Sequence, residues 1–181
     1  MKDLRGFTGV GYDKGRSKLV QAAWLATQGA VLQHWWCPPK VRMSVLRMFG
    51  AKIGRDCLVR HRVRIHWPWK LELEDSVWIG EGAWILNLEP VRIGNNTCVS
   101  QEVFLCTGSH LFDHDNFEFD NAPITIGARS WLAARSTILR GVTVGDDVLV
   151  GAQALVVKDV PSGAKVLAPK ADVREPKSTQ A

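Results

Sequence analysis

Residues 79–110, IGEGAWILNLEPVRIGNNTCVSQEVFLCTGSH, decide how this chain folds. Cut in sixes, they read IGEGAW, ILNLEP, a two-residue slip VR, then IGNNTC, VSQEVF and LCTGSH. A period of six is neither the 3.6 of a helix nor the 2 of a simple strand. The same rhythm runs backwards through LEDSVW to IGRDCL at Ile53, and forwards from IGARSW at Ile126 to VVKDVP ending at Pro161. Fifteen hexads begin with an aliphatic residue, and six of them continue with glycine. The fifth place is small or β-branched, as at Val63, Val77, Ala83, Thr97, Val103, Ser130 and Val148.

One inward aliphatic per six residues describes a β-solenoid. Each hexad supplies a short strand and a corner, and three hexads close a triangular coil. Ile53, Leu73 and Ile93 are then predicted to stack, as are Val59, Ile79 and Val99, and Ile65, Ile85 and Leu105. Each stacked aliphatic is worth about 1.5–3 kcal/mol of burial. Glycine in second place suits a corner where a side chain or the wrong φ would clash. The expected organisation is an N-terminal helical segment (1–50), an all-β coil (51–161) and a C-terminal extension (162–181).

The rhythm breaks after His110, over LFDHDNFEFDNA (111–122), and resumes at PITIG. Asp113, His114, Asp115, Asn116, Glu118 and Asp120 are too polar for an inward stack, so this stretch leaves the body as a protruding loop. Excursions from rigid scaffolds are where function concentrates. His110 falls at the corner where the excursion starts. An imidazole there can take a proton from a weak nucleophile near neutral pH and return it to a leaving group.

Composition sets the remaining bounds. The net charge is +5, and residues 40–70 hold nine Lys or Arg against one acidic residue, Asp56. Such a stretch attracts phosphates or an anionic lipid surface, and no nucleic-acid-binding motif accompanies it. Cys37, Cys57, Cys98 and Cys106 show no metal-binding spacing and read as reduced thiols. The start, MKDLRGFTGVGYDKGRSK, lacks the apolar core of a secretion signal, so the expected location is cytoplasmic, with the inner face of the membrane as one option within it. LVQAAWLATQGAVLQHWWC (19–37) is uncharged over near-spanning length but carries three Gln and a His. A packed helix, an interfacial helix anchored by Trp35 and Trp36, and a span compete for it, in that order. Pro38 and Pro39 end it, and a basic helix over 40–50 follows, stopped by Gly50.

FGAKIG (49–54), PWKLEL (68–73), VRIGNNTCVSQEVFLCTGSH (91–110), PITIG (123–127) and GVTVGDDVLVGAQALVVKDVP (141–161) carry a resemblance over nearly the whole chain. They resemble the acetyltransferases of colanic acid and related exopolysaccharide biosynthesis, a branch of the left-handed β-helix, hexapeptide-repeat acyltransferases. The resemblance, and not the periodicity, implies the left hand of the coil. It implies acetyl-CoA as donor, a sugar hydroxyl of a surface glycan or its lipid-linked precursor as acceptor, and a homotrimer with sites between subunits. It makes His110 the general base of a direct transfer, and Cys106 a packing residue rather than an acyl carrier. It places Trp131 near the active site, Ala134 and Ala152 where the backbone meets the pantetheine arm, Lys158 beside the CoA phosphates, and Asn87 near acceptor hydroxyls. The chain departs from the branch at His110-Leu111, where relatives often have His-Asp, and at LAPKADVRE (167–175), where Asp172 stands in place of an expected cation and Arg174 is the candidate to compensate.

Two rival readings share the fold. A zinc carbonic anhydrase needs three histidine ligands, and the spacing of His61, His66, His110 and His114 does not match that family. A non-catalytic β-helix, structural or ligand-binding, is the other.

Overall fold

The computed structural model describes residues 4–172. Arg174 and the tail 175–181 lie outside the described residues. The chain forms a left-handed parallel β-helix with three faces, preceded by two helices at its base. Face one stacks Lys52–Ile53, Leu71–Leu73, Val91–Ile93, Ile124–Ile126 and Thr143–Val144. Face two stacks Leu58–Val59, Trp78–Ile79, Cys98–Val99, Trp131–Leu132, Leu149–Val150 and Lys165–Val166. Face three stacks Arg64–Ile65, Trp84–Leu86, Phe104–Cys106, Thr137–Leu139 and Leu155–Val156.

The inward columns follow the hexad register. Ile53 pairs with Leu73 and Leu73 with Ile93; Val59 with Ile79 and Ile79 with Val99; Ile65 with Ile85 and Ile85 with Leu105. The fifth places point inward too: Val63, Val77, Ala83, Val103, Ser130 and Val148 are buried. At Thr97 and Ser130 the polar fifth residue bonds a carbonyl of the next coil. Thr97 Oγ1 donates to Gly127 O at 2.7 Å and Ser130 Oγ to Gly145 O at 3.0 Å. The two-residue slips widen the corner before face one and add a second inward column, Leu71, Val91 and Ile124.

The glycines and the positive φ angles separate in a way the repeat alone does not reveal. A Cβ on Gly80 would lie 2.6 Å from Ser100 C, and one on Gly94 2.7 Å from Ala128 N. Close approach of the next coil therefore excludes a side chain at these two second places. The left-handed φ instead falls at the fourth place, on residues such as Asp56 (54°), Asn96 (56°), Arg129 (54°) and Gln153 (61°).

The coil also runs past Pro161, where the count by sixes closes it. The hexad begun at Val156 is two residues short, so the next inward residue is Val160, bridged to Val144. Val166 follows six residues later and pairs with Val150.

At the base, the first helix (α1) spans Lys18–Thr27 and continues as a π-helical turn, Gln28–Leu32. The wider turn accompanies an inward Gln28, whose Oε1 accepts the Ile65 N–H at 2.7 Å. The second helix (α2), Pro39–Met48, starts on its proline, where a missing N–H costs nothing. Trp24, Leu32, Met43 and Leu46 cover the open end of the core. Arg42, 2% exposed, braces helices to coil by donating to four carbonyls: Leu32 (3.0 Å), Val59 (3.1 Å), His34 (2.8 Å) and Cys37 (2.7 Å). No helix among the described residues is long and apolar enough to cross a membrane.

Candidate active site

The excursion at 107–122 is an ordered hairpin. Ala122 N–H donates to Thr107 O (3.1 Å), Asp120 N–H to Ser109 O (2.8 Å) and Leu111 N–H to Glu118 O (2.8 Å), and His110 pairs with Phe119. An ion pair between Arg140 and Asp120 ties its returning arm to the next coil.

His110 stands at the root of this hairpin, at the corner between faces three and one. Its ring stacks on Phe117 at 4.4 Å and 6°, and on Phe119 at 5.1 Å, while Phe7 meets it edge-on at 5.7 Å. Its Nδ1 lies 2.8 Å from Phe117 O. A carbonyl has no proton to give, so the neutral ring must carry its proton on Nδ1, and Nε2 keeps the unprotonated lone pair. The same carbonyl steadies the positive charge that appears when Nε2 takes a proton. The geometry thus orients the ring and sets its tautomer, with Nε2 free to accept a proton.

A strap from the N-terminus holds the carbonyl in place. Residue Glu118, next to Phe117, accepts from Thr8 Oγ1 (2.7 Å), Thr8 N–H (2.9 Å) and Gly9 N–H (3.0 Å). The Thr8 hydroxyl first, then these amides, keep the Glu118 carboxyl below the usual carboxylate range. Phe7 and Tyr12 close on Phe119 at 5.2 and 5.0 Å. Sequence reading assigned nothing to Phe7, Thr8, Phe117 or Phe119; the only signal was an acid between two phenylalanines in the break, FEF (117–119).

The other expected residues lie elsewhere on the coil. Trp131 is half-exposed on face two, its indole donating to Ser100 Oγ at 2.8 Å. Ala134 and Ala152 occupy the corner between faces two and three in successive coils, linked by Gln153 N–H to Ala134 O at 3.1 Å. Lys158 is exposed near the end of the coil. A single chain therefore does not gather Trp131, Ala134 and Ala152 around His110. Asn87 is fully buried, and both ends of its amide are closed on Trp67: Oδ1 accepts the N–H at 3.0 Å and Nδ2 donates to the carbonyl at 2.6 Å. This amide presents nothing to an acceptor and joins two coils instead.

Burial pushes the Cys106 thiol up, and its Sγ donates to Gly108 O at 3.3 Å, so it is not an activated nucleophile. His61 bonds Glu81 at 3.2 Å and His66 packs on Trp67. Among the described residues, no three His, Cys, Asp or Glu side chains form a group able to hold a metal ion.

A three-faced hexad coil with a histidine hairpin at one corner defines a class, and comparison with known proteins agrees. Residues 123–155 match the family described as the hexapeptide repeat of succinyl-transferase. The chain belongs to the hexapeptide-repeat acetyltransferase family. It is 37% identical over 165 residues, 90% of each chain, to the Escherichia coli (strain K12) protein WcaF, named as a colanic acid biosynthesis acetyltransferase. Its fold matches that of the Vibrio cholerae acetyltransferase VCA0836, solved with acetyl coenzyme A, with a TM-score of 0.79 and 20% identity over 91% of each chain. It also matches galactoside acetyltransferase, solved with coenzyme A, at 0.77 and 23% identity, covering 90% of this chain and 84% of that one.

Proposed function

We propose that the protein moves an acetyl group from acetyl-CoA directly to a hydroxyl of a sugar, in an exopolysaccharide or surface glycan, with His110 as general base. The observation that carries this reading is the Nδ1 contact to Phe117 O, which leaves Nε2 as the proton acceptor. Nε2 takes the hydroxyl proton as the sugar oxygen attacks the thioester carbonyl carbon. The tetrahedral adduct collapses, the C–S bond breaks, and the imidazolium returns its proton to the departing thiolate. The Phe117 and Phe119 rings keep bulk water from two sides of the imidazole. The relatives named for acetyl transfer, and the fold neighbours solved with acetyl-CoA or CoA, support this donor.

The donor site is completed by a second copy, in a trimer. The outward residues support this assembly. Face one carries Lys52, Glu72 and Arg92, paired with one another. Face two presents Trp78 and Trp131, and face three Trp84, Phe104 and Leu155, so two faces of three are apolar. Mating these faces brings Trp131, Ala134 and Ala152 of one copy towards His110 of another, with Lys158 near the CoA phosphates.

The test is thiol release from acetyl-CoA across a panel of sugars and glycan fragments, with the acetylated product identified by mass. Release that requires a sugar supports the proposal. Neither release nor acetyl-CoA binding would leave a structural or binding module.

A further inference from the structure

We infer that the helical base of the coil is a docking surface for an anionic lipid bilayer. The first helix is apolar on both sides. Trp24 and the following Leu32 face the core and are buried, yet Leu19, Ala22, Ala23, Ala26 and Ala30 are exposed. Their spacing of three and four residues puts them on one face, opposite Trp24. A surface helix ordinarily shows charge on that side; this one shows none. Exposed apolar residues recur in the turn that follows, where Trp35 is 80% and Trp36 55% exposed, and in the second helix, where Met48 is 74% exposed. Exposed apolar side chains concentrated on neighbouring elements mark a contact site.

The charges around it select the occupant. From Arg16 to Arg55 the chain contains no Asp or Glu. Arg16 and Lys18 at the start of the first helix and Lys40 at the start of the second are exposed. A second copy presenting the same face would bring cation against cation, whereas anionic headgroups neutralise these charges. Two exposed tryptophans at the end of an uncharged helix suit the boundary between headgroups and acyl chains. No helix among the described residues is long and apolar enough to cross the bilayer, so the attachment is peripheral. Docked base-down, the His110 corner stands two coil rises and one helix diameter, about 20 Å, above the lipid. The inference goes beyond the proposed chemistry and does not depend on it.

The experiment is co-sedimentation of the full chain with vesicles of phosphatidylcholine alone and of phosphatidylcholine with phosphatidylglycerol, at low and high salt. The wild type should sediment with the anionic vesicles, less so as salt rises, and not with the neutral ones. Lys18→Gln and Lys40→Gln should each weaken partitioning about fivefold, and Trp35→Ala with Trp36→Ala should abolish most of it. All these variants should keep wild-type thiol release with a soluble sugar, which separates a failure of docking from a failure of catalysis. Equal binding to neutral vesicles, no binding to anionic ones, or indifference to the substitutions would overturn the inference. So would efficient cross-linking of Trp35→Cys between copies together with no vesicle binding, which would assign the patch to an interface of the assembly.

Discussion

Replacing Arg42 by methionine keeps most of the side chain's bulk and removes all its donors. Four carbonyls lose a charge-assisted hydrogen bond of 2.7–3.1 Å. The His34 carbonyl belongs to an exposed residue and can turn to water. Those of Leu32, Cys37 and Val59 belong to buried residues and cannot. At about 1–3 kcal/mol for each unsatisfied buried acceptor, the loss spans about 3–9 kcal/mol. Part returns because a guanidinium no longer has to be desolvated. The expected net cost is about 3–5 kcal/mol, or about 6–20 °C in Tm for a chain of this size. Arg42→Lys should recover only part of this, because one ammonium cannot reach carbonyls from the turn and from the first coil together. Thermal melts followed by near-ultraviolet circular dichroism, at fixed protein concentration, measure both. A methionine variant within about 1 kcal/mol of wild type would refute the claim that Arg42 locks the helical base to the coil.

Cys106→Ser should turn over at the wild-type rate if, as proposed, the transfer passes through no thioester on the enzyme; a stalled acyl-enzyme or a dead variant would contradict direct transfer. Glu118→Gln keeps the shape of the strap's anchor but removes its charge. The maximal rate should fall, by up to about a hundredfold if the His110 ring moves near 1 Å, while acetyl-CoA affinity holds; an unchanged rate would make the strap a bystander. The pH dependence of the strap follows from the lowered Glu118 carboxyl. A depressed folded value means the anchor is fully present above the unfolded value of about 4.3 and is lost as the pH falls through the lower folded one. The Thr8 and Gly9 amide resonances should therefore show an acid-side transition with its midpoint below about 4.3, and an acid-side midpoint at or above that value would contradict the assignment.

The coil was legible because its signal is local: an aliphatic residue at one place in six, repeated until chance is excluded. What escaped was set by neighbouring coils. Val160 breaks the count by two, yet it lies under Val144 and continues the core. Arg129 and Gln153 take a left-handed φ because the ladder on either side demands it, and nothing in their own chemistry announces that. Asn87 looked like an acceptor ligand in sequence, but only the fold shows its amide spent on Trp67. His110 was readable from its position before the break. Its tautomer was not, since that rests on Phe117 O and on a strap more than a hundred residues earlier in the chain.

The central claim is that His110 Nε2 takes the acceptor's proton, and the direct measurement is acceptor-dependent acetyl transfer by His110→Asn beside wild type, at saturating acetyl-CoA. Asparagine can still donate to Phe117 O, so the hairpin and donor affinity should survive while the maximal rate drops by about 10²–10⁴-fold, the range of a lost general base. A variant that keeps its rate within a few-fold of wild type, with the hairpin intact, would contradict the account.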